Sequence, residues 1–409
     1  MIEKTESPSN KGDSVKSLSS FVSPISMKKI LSLFLIIGTL CIGNAHSNDL
    51  TPESLLQAAV LGGDYLVRHQ NSDGSFDYVY EPEKDDYSSS YNLLRHAGTC
   101  YSLLELNEAT GDKRYLDSAK IGLEWLLERT RGPKPEHEQE DFLAIVSPDQ
   151  EAKLGGAALA LLALCKYEAI TGDQGWRPVC HQLFLFIRFM QDEDGQFESK
   201  YFYGEPDKRK FVSMYYPGEA IFALSRLYEI DPKPEYLETA TKGADWLIQV
   251  RDADKSLKDL PHDHWLTMAL NELHELTDED RYLKQAQRIC DAILLEQRNE
   301  SFPNKEWVGT FYTPPRSTPS SIRGEALAAM IELAERNHLP TDDYLKSLKL
   351  IANFVLKCQV DEARSKTFPK PEEALGGIQE ALGESSIRID YVQHGISMML
   401  GLRRALEEK

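Results

Sequence analysis

Cysteine is scarce. Six occur in 409 residues, with no Cys-x-x-Cys pair and no Cys/His spacing of the kind that holds a structural metal. Cys100, Cys165, Cys180, Cys290 and Cys358 all fall in apolar helical stretches, where a small buried hydrophobe is the simplest role. Cys165 and Cys180 flank one tight turn and are the pair that an oxidising compartment could join. Basic residues are also few: 46 Lys and Arg stand against 65 Asp and Glu, a net charge of -19. Such a chain is poorly made to neutralise phosphates, which excludes nucleic acid as a partner. Long apolar runs are lacking as well. The run at 30–42 is too short to span a bilayer comfortably, so no stable membrane span is expected once it is removed.

That short run has another use. Met27-Lys28-Lys29 precedes it and Gly43-Asn44-Ala45-His46-Ser47 follows it. A basic start, a short apolar core and small residues before a polar segment make a secretory signal, cleaved after Ala45 or Ser47. Met27 is the expected start, and a secreted or periplasmic location follows. Gly38-Thr39-Leu40 before Cys41 does not supply the small residues that lipidation of the cysteine requires. Residues 1–47 are therefore set apart as a removed extension, and 48–409 as one domain.

Apolar residues at helical spacing predict twelve helices, near 51–69, 89–109, 112–130, 152–171, 174–191, 215–229, 234–251, 263–276, 279–297, 320–337, 341–359 and 389–407. Alternate turns resemble one another: LNEATGDKRYL (106–116), KYEAITGDQGW (166–176), LYEIDPKPEYL (227–237), LHELTDEDRYL (273–283) and LAERNHLPTDDYL (333–345). A repeat of this length points to a stacked array of helical hairpins. The even-numbered helices are the more apolar and carry small residues, as at Gly155-Gly156-Ala157-Ala158 and Gly324-Glu325-Ala326. Helices of that kind are buried all round. The odd-numbered helices keep a charged face, as at Asp117, Lys120, Glu124 and Glu128. Six inner helices inside six outer ones make an all-α (α/α)6 toroid. The connections into the inner helices are long (70–88, 131–151, 192–214, 252–262, 298–319 and 360–388) and emerge on one face, where function usually sits. Alternating stretches such as Phe197 to Phe202 suit small hairpins within these loops.

Gln70-Asn71-Ser72-Asp73-Gly74-Ser75-Phe76 and Gln191-Asp192-Glu193-Asp194-Gly195-Gln196-Phe197 resemble the QxxxGxW repeat of terpenoid cyclases, with Phe for Trp. The plan of the chain resembles both the six-hairpin glycosidases and the terpenoid cyclase and prenyltransferase toroids, over nearly all of residues 48–409. The DxDD acid motif of squalene-type cyclases is missing, as are the zinc patterns of prenyltransferases and lanthionine cyclases. The repeat marks a turn after an outer helix rather than chemistry, and a shared fold does not transfer an activity.

The first turns of the inner helices carry polar groups that an apolar core would not choose: Arg95 and His96, Lys153, Tyr215, Tyr216 and Glu219, Asp263, His264 and Trp265, Arg323 and Glu325, and Asp390, Gln393 and His394. Asp263 and Asp390 open helices and fit a capping role as well as a catalytic one. Glu219 and Glu325 each follow a glycine inside a buried helix, where a carboxylate needs a partner or a use; Arg323 is the structural partner to hand. The adjacent His262-Asp263-His264 is a poor metal set because neighbouring helical side chains point apart, and no metal or cofactor is expected. The long loops are rich in aromatics such as Tyr78, Phe202, Trp307 and Tyr312, which suit sugar rings and equally suit packing.

The expectation is a carbohydrate-active enzyme on an oligo- or polysaccharide. As a glycoside hydrolase it draws its catalytic carboxyls from Glu219, Asp263, Glu325 and Asp390. As a uronate-polysaccharide lyase or epimerase it moves the proton with Tyr215 or Tyr216 and a histidine, while Arg95 or Arg323 neutralises the substrate carboxylate. The remaining mouth residues, His96, His264, Trp265 and His394, would bind substrate. A non-catalytic toroid that binds a glycan or a protein is the alternative. Isoprenoid chemistry would need an apolar lumen.

Overall fold

Thr51 opens the first helix: its hydroxyl accepts a hydrogen bond from the Ser54 N–H while the Ser54 hydroxyl accepts one from the Thr51 N–H, a reciprocal cap. The computed structural model describes residues 50–204 and 211–407; the expected signal segment and the start at Met27 lie outside them. Twelve long helices occur among the described residues. In chain order they are α1 (Pro52–Arg68), α2 (Leu93–Thr110), α3 (Lys113–Leu127), α4 (Leu154–Thr171), α5 (Arg177–Phe189), α6 (Tyr216–Ile230), α7 (Pro234–Trp246), α8 (His264–Thr277), α9 (Asp280–Glu296), α10 (Ser317–Arg336), α11 (Asp342–Cys358) and α12 (Ile389–Glu407).

The even-numbered helices close a ring: α2, α4, α6, α8, α10 and α12 each pack on the next, and α12 returns to α2. The odd-numbered helices pack outside, each on the inner helix before it in the chain, with α1 on α12. This is an (α/α)6 toroid. Burial follows the ring. Every residue from Leu154 to Cys165 of α4 is buried, whereas α9 buries a stripe at helical spacing, Tyr282, Gln285, Ala286, Ile289, Cys290 and Ile293. The composition of α4 would also suit a membrane span, yet its surface is covered by neighbouring helices. The five described cysteines are free and buried, Cys165 and Cys180 included.

Three of the short turns are built by left-handed C-caps, at Gly111, Gly172 and Asp278. Gly111 and Gly172 take φ of +70 and +73 and return their N–H to Asn107 and Glu168. The two glutamine-to-phenylalanine repeats have a packing role. Gln70 donates to the Ser118 carbonyl of the next outer helix and to its own Gly74 carbonyl; Gln191 does the same with Thr239 and Gly195. Gly195, at φ +103, lies so close to the Lys242 carbonyl that a Cβ would stand 2.5 Å from it. Gln297 with Gly309, and Gln359 with Gly376, repeat the device across longer inserts. Gly195→Ala is expected to cost more than about 1 kcal/mol, since backbone strain and a backbone clash add; chemical denaturation measures it.

Small hairpins form within the first and last long loops, and the loops also pair with one another. Lys200–Phe202 pairs with Glu151–Lys153 of the preceding loop, not within the 197–202 stretch. Val79–Glu81 forms a hairpin with Asp86–Tyr87 and also pairs with Glu384–Arg388, joining the first loop to the last. Strands that bridge loops hold the rim of the ring at two places.

Candidate functional site

At the rim, α2 and α12 are joined through charge. Asp390, in the first turn of α12, takes Arg95 Nε at 3.1 Å and Arg388 at 3.0 Å. Arg95 also donates to the Tyr78 hydroxyl. Two guanidiniums on one buried carboxylate hold it in place. Asp263 is tied down in the same manner. Its Oδ1 caps α8 by accepting from the Leu266 N–H at 3.1 Å, and its Oδ2 accepts from Arg251 at 2.8 Å. Arg251 reaches it because α7 ends in a π-helical turn, Leu247–Arg251, where a straight helix to 251 was expected. The capping role thus accounts for Asp263, and the arginine clamp for Asp390.

Glu219 differs from both. It is 4% exposed, its Oε2 has no hydrogen-bond partner, and no cation lies on it. Its carboxyl rests against the bare backbone of Gly155 on α4, where a Cβ would stand 2.1 Å from Oε2. Burial raises its pKa to about 8, and the negative charge of Asp263 adds to the effect. It is therefore largely protonated at neutral pH. Arg323 pairs with neither glutamate: it donates to His262, to the Pro319 carbonyl and to the Tyr312 hydroxyl, each at 2.8 Å.

On the adjoining inner helices, α8, α10 and α12 bring His264, Glu325 and His394 together. His394 Nδ1 lies 3.0 Å from Glu325 Oε1, and His264 Nε2 lies 3.5 Å from Glu325 Oε2. Burial raises the Glu325 pKa while the His394 charge opposes it. Burial works against the His394 cation, but the charge and hydrogen bond of Glu325 together with the Asp390 charge overcome it, and the His394 pKa is raised. His264 is 2% exposed and both ring nitrogens lack a hydrogen bond. Tyr215 stands edge-on to the His264 ring, with centroids 5.2 Å apart, and burial raises its phenol to about 12. Trp265 packs beside both histidines. Behind Glu325, a cavity of ≈ 280 Å³ opens toward the C-terminal ends of the inner helices. A larger one, ≈ 760 Å³, lies between the starts of α2 and α4, with Lys153, Arg129 and Tyr91 in its wall.

Three sequence-predicted residues lie elsewhere. His96 turns outward between α2 and α3: its Nε2 meets the Gly122 carbonyl at 2.8 Å, its Nδ1 meets the Tyr91 hydroxyl at 2.7 Å, and its ring stacks on Trp125. It is a satisfied core histidine, kept neutral by burial with its pKa lowered to about 4. Tyr216 faces the α4 side beside Phe211. Gln393 accepts from Thr99 inside the ring wall, at 2.8 Å. Sequence reasoning missed Arg251 and Arg388, which carry the two aspartates. Arg388, two residues before Asp390, was the findable one.

Residues 149–332 match the β-L-arabinofuranosidase GH127 catalytic domain. No curated protein matches the chain. Among solved structures it is similar to the GH76A α-1,6-mannanase of Salegentibacter sp. HEL1_6 (16% identity, 86% of this chain and 99% of that one, TM-score 0.60). It is also similar to the cellobiose 2-epimerase of Bacillus thermoamylovorans (12%, 85% and 99%, TM-score 0.63) and to a D-mannose isomerase (13%, 88% and 97%, TM-score 0.62). Identities this low show the fold alone, that of the six-hairpin glycosidase-like toroids. The family match runs from just before α4 into α10, under half of the chain, and is a likeness to a glycoside hydrolase catalytic domain.

Proposed function

We propose that the mouth of the inner ring hydrolyses glycosidic bonds in an oligosaccharide. The observation that carries this reading is the difference between its two free carboxyls. Glu219 has no cation and is held protonated, whereas Glu325 shares a histidine partner. Burial raises both, but only Glu325 has a histidine that opposes the shift, and that difference in surroundings gives Glu219 the acid role and Glu325 the base role. Glu219 gives its proton to the glycosidic oxygen as the C1–O bond breaks. Water attacks C1 and loses its proton to Glu325, which His394 steadies. Tyr215, Trp265 and Arg323 bind the sugar beside them. Asp263 and Asp390 hold the site together and do not react. The larger rim cavity, with three cations (Arg129, Arg131 and Lys153) and one carboxylate (Asp149) in its lining, accommodates further sugars and favours acidic ones.

A second reading rests on the two histidines, whose rings meet edge-on with centroids 5.7 Å apart. An unpartnered imidazole beside a Glu–His pair suits removal and return of a carbon-bound proton, the chemistry of an epimerase or isomerase. One experiment separates the readings. The chain from Asn48 onward is incubated with neutral and uronic oligosaccharides in deuterated water. New reducing ends without carbon-bound deuterium support hydrolysis. Deuterium on carbon with the chain length unchanged supports epimerisation and overturns the hydrolase. Binding without either product leaves a non-catalytic glycan-binding toroid.

A further inference from the structure

We infer that His264, Glu325 and His394 form a binding site for one divalent transition-metal ion of the zinc class. Each residue offers one ligand atom, and the three atoms all lie within 4.8 Å of one another. Ligands held ~2.0–2.1 Å from a tetrahedral ion stand about 3.3 Å from each other. Two edges that meet at Glu325 Oε2 already bracket that value, 3.2 Å to His394 Nδ1 and 3.5 Å to His264 Nε2. The third edge closes with a small tilt of either ring. The residues are fixed on three helices that pack in sequence around the ring, so the triangle is carried by the scaffold rather than by a loop.

The independent observation is His264. It is 2% exposed, and neither ring nitrogen makes a hydrogen bond. A buried imidazole normally finds a partner for at least one nitrogen. An ion on Nε2 supplies one. The nearest guanidinium, Arg323, is turned away onto His262 and Tyr312. Two imidazoles and a carboxylate suit zinc, cobalt or nickel and do not suit magnesium or calcium, which prefer oxygen shells. Three protein ligands leave a fourth position toward the mouth, and the ion there lowers the pKa of a bound water. Neighbouring residues in sequence could not reveal this set, since each ligand comes from a different hairpin.

The inference concerns the same mouth as the proposed hydrolase and changes one role there: with an ion held, Glu325 is a ligand and not the base. Its test uses no sugar, so each reading fails on its own evidence. The chain is stripped with a chelator, dialysed, and titrated with Zn²⁺ by calorimetry. Co²⁺ is added separately to read visible d–d absorption, and thermal unfolding is followed with and without Zn²⁺. The expected result is one equivalent bound, a higher unfolding temperature, and cobalt bands of a low-coordinate site. His264→Ala and His394→Ala each weaken binding by more than the ~10–100-fold loss typical of an outer-shell change. Glu325→Gln, which keeps the shape of the side chain, weakens it as well. Failure of the wild-type chain to take up stoichiometric zinc overturns the inference, as does uptake unchanged in these variants.

Discussion

Glu219→Gln lowers kcat on an unactivated glycoside by about 10²–10⁴-fold, the range over which a positioned general acid acts. The substitution keeps the size and shape that the contact with Gly155 demands and removes only the proton. The wild-type pH profile carries an alkaline limb with an apparent pKa near 8, the value to which burial raises Glu219. That limb disappears in the variant. Stability responds in the opposite direction. The folded-state pKa of about 8 stands above the ordinary glutamate value of 4.5, so between those pH values the folded chain keeps a proton that the unfolded chain has released. The stabilisation present below pH 4.5 is lost as pH rises through about 8. Glu219→Gln removes this pH dependence and leaves the variant more stable than the wild type at alkaline pH. Urea unfolding across that range checks it.

Asp263→Ala is expected to lose about 2–3 kcal/mol of stability, the sum of a lost N-cap and one lost charge-assisted contact, since Arg251 keeps its pair with Asp252. Arg251 loses its 2.8 Å contact with Asp263, and α8 loses its N-cap at Leu266. Asp263→Asn keeps the cap and loses less. A catalytic Asp263 would show the reverse pattern, with activity abolished by the Asn variant while the chain stays as stable as the wild type. Thermal unfolding and turnover measured on the same two variants separate these outcomes.

Most of the fold was legible because burial in this toroid is written twice in the sequence. The inner helices read as apolar all round, and the outer ones as amphipathic. Their ends were readable to within a few residues where a cap or a breaker stood. The differences have local causes. α2 starts at Leu93 rather than 89 because Asn92 accepts from the Leu94 and Arg95 N–H groups and so sets the first turn. α10 begins at Ser317, before Pro319, because proline is tolerated in a first turn. The straight α7 expected to 251 ends instead at Trp246, and the π-helical turn beyond it aims Arg251 at Asp263.

The site was less legible, because a helical period tells which residues are buried but not which neighbour they meet. His96 shares its helix position with the mouth residues, yet Gly122 and Trp125 of α3 capture it. Asp390 and Glu325 look alike as isolated acids in inner helices. One meets two arginines and the other a histidine, and those partners come from different loops and hairpins. The unpartnered Oε2 of Glu219 is a property of three packed helices and has no counterpart in local sequence.

The account turns on Glu219 as the acid that protonates the leaving group, and leaving-group dependence tests that most directly. Turnover by wild type and Glu219→Gln is compared on an oligosaccharide that the wild type cleaves and on an aryl glycoside of the same sugar whose phenol leaves without protonation. The account predicts a loss of about 10²–10⁴-fold on the first and a much smaller loss on the second. An equal loss on both, or near-normal turnover of the oligosaccharide by the variant, contradicts it.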